Sequence, residues 1–199
     1  LVVAPIAAVY GIKLAKMSGR GLGHTGGTVD KLESVRGFRT DISPEEAEKI
    51  VNETGLCIIG QTNRLAPADK LLYALRDVTA TVDSLPLIVS SIMGKKLAAD
   101  DDVIVLDVKT GSGAFMKTRD DSEKLARAMV SIGKRAGKKI CALITDMSKP
   151  LGRAIGNSLE VIEAIDVLNG KGEAALTELC TELAANILLL SGLGDDNLE

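Results

Sequence analysis

The stretch from residue 16 to residue 34 holds the side chains and spacings that most clearly indicate chemistry. Its glycines lie between an alternating apolar run and a helix-like run, at positions 19, 21, 23, 26 and 27. Glycine is favoured where the backbone needs positive φ or touches a ligand. The N–H groups of such a loop can converge on an anion beside the positive end of the next helix, and Ser18 and Thr28 flank the loop with hydroxyls. The pattern predicts an anion-binding loop, with a flexible turn as the alternative.

Part of the loop also fits a dinucleotide-binding pattern. Gly21-Leu-Gly23-His-Thr-Gly26 matches G-x-G-x-x-G, which is weak evidence by itself. The full fingerprint needs an acidic residue about 20 positions further on, where the next strand ends. The next predicted strand, 56–60, leads into Gln61 instead. We therefore expect a single phosphate here and not a dinucleotide.

Two further pairs of polar residues have helical spacing. Tyr73 and Arg76 are three positions apart, and Ser91 and Lys95 are four apart, so each pair shares one face of a predicted helix. From these residues alone, Arg76 could pair with a nearby acid, and Lys95 with Lys96 could form a solvated face of little energetic weight.

The composition excludes several classes of protein. The chain has 199 residues, 46% hydrophobic and 26% charged, which suits one large globular domain or two small ones. Only 2% of the residues are aromatic, and the formal net charge is −3. Without aromatic platforms or a basic stripe, we expect neither nucleic acid nor an acidic membrane as a partner.

The cysteines and the histidine also limit the chemistry. Cys57, Cys141 and Cys180 are widely spaced among apolar residues, which favours free buried thiols in a reducing cytoplasm. His24 is the only histidine, and no C-x-x-C pair occurs, so a zinc site is not predicted. No uninterrupted apolar run has membrane-spanning length. These features predict a soluble, cytoplasmic protein.

The elements that position these residues alternate between helix and strand. Ser43-Pro44-Glu-Glu46 marks a helix start, with Ser43 as N-cap and Glu46 completing a capping box. Strands are predicted at 12–17, 56–60, 101–109 and 139–145, and helices at 1–10, 28–35, 44–53, 67–97 (two, broken near 84–86), 122–136, 158–168 and 173–190. The order indicates an α/β fold with a largely parallel sheet, flanking helices and a helical segment belonging to a smaller α lobe.

Three blocks in the same order resemble the thymidine and pyrimidine-nucleoside phosphorylase family. They are Lys16-Met-Ser-Gly-Arg-Gly-Leu-Gly-His-Thr-Gly-Gly-Thr-Val-Asp-Lys-Leu-Glu-Ser34, Pro67-Ala-Asp-Lys-Leu-Leu-Tyr-Ala-Leu-Arg-Asp-Val-Thr-Ala-Thr-Val82 and Val105-Leu-Asp-Val-Lys-Thr-Gly-Ser-Gly-Ala-Phe-Met-Lys117. The resemblance covers nearly the whole chain. Gly94 departs from the serine expected in the bacterial pyrimidine-nucleoside enzymes, which bears on fine substrate preference.

The resemblance implies a reaction and the residues for it. Uridine, thymidine or deoxyuridine would react with inorganic phosphate to give a free pyrimidine and a (deoxy)ribose 1-phosphate, without an organic cofactor. The family's pyrimidine positions fall on Tyr73, Arg76, Ser91 and Lys95: Arg76 and Lys95 would donate to the ring's carbonyl oxygens, and Ser91 would bond the ring amide. The family's phosphate positions fall on Lys16, Met17, Ser18 and Thr28. His24 could act in the loop or simply form a hydrogen bond there.

The resemblance also implies a potassium site. The main-chain oxygens of Leu151 and Ala154 and the carboxylate of Glu163 match the family's cation segment, and carbonyl oxygens suit a weakly hydrated cation. Without the resemblance, this segment is a turn and a helix start. Asp107 and Lys109, at the end of a predicted buried strand, are candidate ligand residues without an assigned role.

The family's architecture implies a domain division and an assembly. Residues 1–66 would form the first part of an α/β lobe, 67–98 a helical segment of the α lobe, and 99–199 the rest of the α/β lobe. The helical lobe would form a homodimer. The first residue is Leu1 and the family extends at both ends, so we expect an interior fragment that is inactive alone. The alternatives are a phosphoribosyltransferase-like relative and a catalytically silent nucleotide-binding module.

Overall fold

The computed structural model describes residues 1–21, 26–60, 66–81 and 84–193, without the side chains of residues 70, 73, 74 and 77. These residues divide between two compact units. The first unit is Leu1–Gln61 with Leu151–Glu199, and the second unit is Thr62–Pro150. The assignment of 1–66, 67–98 and 99–199 to lobes of a larger enzyme stays a prediction.

The first unit contains a short parallel pair of strands. β1 (Leu14–Ser18) pairs in parallel with β2 (Leu56–Gly60), so that Ser18 lies opposite Gly60 at their carboxyl ends. The connection between them holds α2 (Thr28–Glu33) and α3 (Pro44–Thr54). α3 packs on β2 through buried Ala47, Val51, Cys57 and Ile59. Because β2 pairs with β1, this packing also fixes the position of the end of β1, where the glycine-rich loop (residues 19–27) begins.

Three further helices complete the first unit. α1 (Val3–Val9), α7 (Asn157–Leu168) and α8 (Ala174–Ser191) share a small core of Val2, Ala164, Val167 and Cys180. α8 is long and apolar enough to cross a membrane, by length and composition alone. The sequence analysis found no uninterrupted apolar run of membrane-spanning length, and α8 agrees with that because Glu178 and Glu182 interrupt it.

The α3 helix shows how local chemistry sets an element. The Ser43 hydroxyl accepts the Glu46 N–H at 3.1 Å, and Gly55 ends the helix at φ +82°. The Ser43 half of the predicted capping box is therefore present. The Glu46 carboxylate instead pairs with Arg39, because that guanidinium lies within reach of it.

The second unit has a longer parallel pair and a larger core. α4 (Pro67–Val78) and α5 (Leu85–Ala98) precede β3 (Val103–Thr110), α6 (Arg119–Arg135) and β4 (Lys139–Asp146). β3 and β4 pair in parallel along all eight residues of each strand. Apolar side chains from α5, β3, α6 and β4 form one buried cluster: Val89, Met93, Ile104, Leu106, Val108, Leu125, Ala126, Met129 and Ile140. This core supports α5 against the sheet.

The predicted α/β class with parallel strand pairing is confirmed. The predicted break between α4 and α5 is also confirmed, and β2 has the predicted bounds. α6 begins at Arg119 instead of residue 122, because Thr118 acts as its N-cap and accepts the Asp121 N–H. The described strands form two separate pairs, not one sheet.

Candidate functional site

A cavity of about 360 Å³ in the second unit brings together three residues that the resemblance selected. Arg76, Ser91 and Lys95 line it with the polar pair Asp107 and Lys109. The rest of its wall is apolar: Ile88, Ile92, Val108, Phe115, Met116, Leu125 and Met129. A mostly apolar cavity with a few convergent polar groups is typical of a small-molecule site. We refer to it as the Arg76 cavity.

Arg76 is held by the α4–α5 hairpin. It lies in the last turn of α4 and is only 7% exposed. Its Nη1 donates to the Leu87 carbonyl oxygen at 3.2 Å, and its Nε lies 3.4 Å from the Thr81 carbonyl oxygen. These two acceptors orient the planar guanidinium before any ligand arrives. A preoriented donor is what electrostatic stabilisation requires.

Ser91 and Lys95 occupy one face of α5. Ser91 is 7% exposed, whereas Lys95 is partly exposed and its Nζ lies 3.0 Å from the Asp69 carboxylate in the first turn of α4. Lys96 is exposed. Lys95 and Lys96 therefore differ in their surroundings, because their side chains leave the helix about 100° apart.

Asp107 and Lys109 form a compact polar group with Thr145. Lys109 Nζ lies 2.8 Å from Asp107 Oδ2 and donates to Thr145 Oγ1 at 3.0 Å. The Thr145 hydroxyl in turn donates to Asp107 Oδ1. Lys109 and Thr145 are register partners on β3 and β4. The alternation of strand positions places Asp107 and Lys109 on one face, but only the β3–β4 register identifies Thr145.

The sequence analysis also named Tyr73 and Gly94 in the second unit. Tyr73 belongs to α4, but its side chain is outside the described atoms. Gly94 lines a different groove, which is mainly apolar, between α5 and α6. A Cβ at Gly94 would meet nothing within 4 Å. Proximity to Lys95 in the sequence therefore does not place Gly94 at the Arg76 cavity.

The first unit positions the predicted phosphate residues at the two ends of the glycine-rich loop. Lys16, Met17 and Ser18 are the last residues of β1, and Thr28 is the first residue of α2. Ser18 and Thr28 are both half-buried. His24, with the rest of 22–25, lies outside the described residues. The roles of these residues in phosphate binding stay predictions.

Two loop N–H groups already have an anionic acceptor. The Asp30 carboxylate accepts the Gly21 N–H at 2.7 Å and the Gly27 N–H at 3.2 Å. The Gly21 N–H bond, followed by the Arg20 guanidinium and the Gly27 N–H, lowers the pKa of Asp30. The sequence analysis did not identify this carboxylate as the acceptor for the loop. The available signal was its N3 position after N-cap Gly27, from which a carboxylate can accept the N-cap N–H as in one half of a capping box.

The predicted cation segment lies wholly in the first unit. Glu163 Oε1 accepts the Arg153 N–H at 2.7 Å and the Ala154 N–H at 3.2 Å. A Cβ at Gly152 would overlap Glu163 Oε2, so the carboxylate lies directly against the Gly152 backbone. The carboxylate and the 151–154 backbone are thus adjacent, and oxygen donors of this kind fit a potassium ion. No group of three or more His, Cys, Asp or Glu residues suited to a metal occurs in the described parts of the chain.

No disulfide joins Cys57, Cys141 and Cys180, all of which lie in the described part of the chain. Cys57 and Cys180 are buried, and Cys141 is half-buried on β4. Burial raises the pKa of the Cys57 and Cys141 thiols, so both stay protonated near neutral pH. Neither thiol is therefore a strong nucleophile.

Comparison with known proteins decides the family. All of residues 1–199 match the glycosyl transferase family, a/b domain. The chain belongs to this family. It is 63% identical over 191 residues to a pyrimidine-nucleoside phosphorylase of Staphylococcus haemolyticus, and 61% and 59% identical to proteins of the same name from Staphylococcus epidermidis and Geobacillus stearothermophilus. Each match covers 96% of this chain.

The chain is shorter than its relatives. It spans 44% of the length of each of these curated phosphorylases. The expected resemblance to the phosphorylase family is confirmed by the identity of 59–63% across the chain. The activity of the whole protein is a separate question.

Proposed function

We propose that the full-length protein catalyses the phosphorolysis of pyrimidine nucleosides, with uridine, thymidine and deoxyuridine as substrates. The observation that carries this proposal is the convergence of Arg76, Ser91 and Lys95 on one cavity. The relatives named pyrimidine-nucleoside phosphorylase support it. Phosphate is the co-substrate, and no organic cofactor takes part.

In the proposed reaction, a phosphate oxygen bonds to C1′ of the sugar as the N-glycosidic bond breaks. The bonding electron pair goes to N1 of the base, so negative charge develops on the pyrimidine while the sugar becomes oxocarbenium-like. Arg76 and Lys95 donate to the ring's carbonyl oxygens and stabilise this charge, and Ser91 bonds the ring amide. Tyr73 completes this side as a fourth candidate.

The phosphate side of the proposal rests on the first unit. Ser18 and Thr28 donate hydroxyls to the phosphate, while Lys16 and Met17 contribute through the backbone or by position. Gly21 and Gly27 are not proposed as donors, because their N–H groups are bonded to Asp30. Phosphate is already a nucleophile, so no general base is required from His24.

We also propose potassium as an accessory ion. The main-chain oxygens of Leu151 and Ala154 and the free oxygen of Glu163 would bind it. Glu163→Gln in the full-length protein should abolish any activation by potassium over sodium, with Glu160→Gln as the matched control on the same helix. Equal potassium dependence in both variants would show that the activating potassium ion does not bind at this segment.

A homodimer and a cytoplasmic location complete the proposal. The α4 helix exposes an apolar stripe of Leu71, Leu72, Leu75 and Val78, each more than half exposed. Such a stripe on a soluble protein favours burial against a partner. Sedimentation of the full-length protein, with Leu75→Glu as the variant, tests whether this helix forms the dimer.

The deciding experiment measures uracil release from uridine by the purified full-length protein, with and without inorganic phosphate. Phosphate-dependent release of uracil with ribose 1-phosphate supports the proposal. Uracil release from uridine 5′-monophosphate, and not from uridine, in the presence of pyrophosphate and a divalent cation would indicate a phosphoribosyltransferase. Binding of uridine without turnover would indicate a silent module. The acidic run Asp100–Asp102 precedes β3 and so lies at its amino end, whereas ligands of parallel strands bind at the carboxyl ends.

A further inference from the structure

The glycine-rich loop is closed at its neck by backbone contact. A Cβ at Gly27 would overlap the Gly21 nitrogen and lie 2.5 Å from the Arg20 carbonyl carbon. The chain therefore returns onto itself between residues 20–21 and residue 27. Only glycine at position 27 allows this approach, although its φ of −89° is open to any residue. The reason for glycine here is space and not backbone conformation.

The Asp30 carboxylate joins the two sides of this neck. Its Oδ2 accepts N–H groups from Gly21, on the entering side, and from Gly27, on the leaving side. Its Oδ1 accepts from Arg20 Nη1 at 3.1 Å. One side chain thus ties three points of the neck, and hydrogen bonds to an ionised acceptor are stronger than neutral ones.

A series of hydrogen-bonded side chains links Asp30 to the carboxyl end of the β1–β2 pair. Arg20 also donates to Glu33 through Nη1 and Nη2, at 2.7 and 2.9 Å. Glu33 Oε1 accepts the hydroxyl of buried Thr40 at 2.6 Å. The Thr40 carbonyl oxygen accepts the N–H of Gly60, the register partner of Ser18. The neck of the loop is therefore connected by hydrogen bonds to Gly60, which lies opposite Ser18 at the carboxyl ends of β1 and β2.

We infer that Asp30 is a positioning residue for phosphate, acting through Arg20 and Glu33 to hold the neck of the glycine-rich loop against the end of β2. This inference rests on the proposed phosphate role of the loop. Asp30 itself does not touch phosphate; it fixes the separation of Ser18 and Thr28, the two proposed hydroxyl donors. Loss of this constraint should weaken phosphate binding and leave the pyrimidine side unchanged.

The test compares full-length wild type with Asp30→Asn, which keeps the side-chain size and removes the charge. Exposed Asp166→Asn, on α7 of the same unit, controls for the loss of one negative charge. In Asp30→Asn, the amides of Gly21 and Gly27 should exchange hydrogen faster than in wild type. The KM for phosphate should rise at least about tenfold, with kcat at saturation and the KM for uridine within about twofold. Asp166→Asn should match wild type throughout.

Several results would overturn the inference. Unchanged amide exchange in Asp30→Asn would mean that the carboxylate does not hold the neck. An unchanged phosphate KM, or an equal rise of both KM values, would assign Asp30 a merely structural role. If Asp30→Asn does not fold, Arg20→Lys replaces it, because one ammonium cannot bridge both acids as the guanidinium does. A phosphate KM raised about threefold in Arg20→Lys supports the inference, and an unchanged one overturns it.

A wild-type protein without phosphorolysis would count against the proposed function and not directly against Asp30. The melting temperature with inorganic phosphate then gives the answer. A phosphate-dependent rise in wild type that is lost in Asp30→Asn supports the inference. No rise in wild type, or the same rise in both proteins, overturns it.

Discussion

The two units hold their candidate ligand groups in different ways. In the second unit, Arg76 and Ser91 are almost fully buried at a cavity that rests on a nine-residue apolar core. In the first unit, the glycine-rich loop is organised by ionised side chains that are partly exposed, namely Arg20, Asp30 and Glu33. The first unit's strands have five residues each, against eight each in the second.

This difference indicates how each half should respond to change. Buried donors lose little to solvent screening, and removing one leaves neighbouring polar groups without a partner. Partly exposed ion pairs are individually weak and depend on salt and pH. We therefore expect the largest effects in the Arg76 cavity and smaller, condition-dependent effects at the glycine-rich loop.

Arg76→Ala should have the largest effect. In the full-length protein, kcat/KM for uridine should fall about 100-fold or more, because a preoriented cation facing the departing base is lost. Arg76→Lys should recover only part of this, since the planar fork that bonds the Leu87 carbonyl oxygen is gone. Exposed Arg135→Ala is the control, with steady-state phosphorolysis as the measurement. A near-normal rate in Arg76→Ala would show that Arg76 does not stabilise the departing base.

Lys95→Ala and Lys96→Ala form a matched pair on α5. Lys95→Ala should lower kcat/KM about 100-fold, whereas Lys96→Ala should stay within about twofold, because only Lys95 lines the cavity. Initial rates at limiting uridine measure both variants. Equal losses in the two variants would mean that charge in general matters on this helix, and not position.

Ser18→Ala and Thr28→Ala should act on the phosphate side with smaller effects. Each should raise the KM for phosphate about tenfold, the usual size for losing one hydrogen bond to a charged ligand. Affinity for free uracil, measured by calorimetry, should not change. Ser34→Ala, at the end of α2, removes a hydroxyl that bonds the Lys31 carbonyl oxygen and serves as control. Weaker uracil binding with a normal KM for phosphate would contradict the assignment of phosphate to residues of the first unit and of the pyrimidine to residues of the second.

The Asp30 network should make the first unit sensitive to acid. The pKa of Asp30 is lowered in the folded protein, so its contribution to stability is complete above the unfolded value of about 3.9. That contribution is lost as the pH falls through the lower folded pKa. The difference in melting temperature between wild type and Asp30→Asn should be constant above about pH 5 and shrink below pH 4. If the difference in melting temperature instead increased as the pH fell, the pKa of Asp30 would be raised in the folded protein and not lowered.

Gly94→Ser should have the smallest effect. A side chain at this α5 position meets open space in a groove away from the Arg76 cavity, so the ratio of uridine to thymidine turnover should change less than about twofold. Replacing a helical glycine should also stabilise the protein by about 0.5 kcal/mol, measurable by urea unfolding. A large change in the substrate ratio would connect this groove to specificity after all.

Local chemistry was readable from the sequence. The start of α3 at Ser43-Pro44 and its end at Gly55 follow from capping groups within a few residues of each other. The same applies to the break between α4 and α5 and to the alternation that indicates parallel strands. The three ordered blocks also determined the family, because long runs of matching residues do not depend on knowing how they pack.

Tertiary structure decided how these residues are held. The Leu87 carbonyl that orients Arg76, the Asp69 partner of Lys95 and the location of Gly94 depend on how α4, α5 and α6 pack. The Thr145 partner of Lys109 depends on strand register. Sequence spacing places residues on a face of one element, but it does not specify the angle or register of the next. Contacts between elements are set by packing of the whole core, and only the folded chain contains that information.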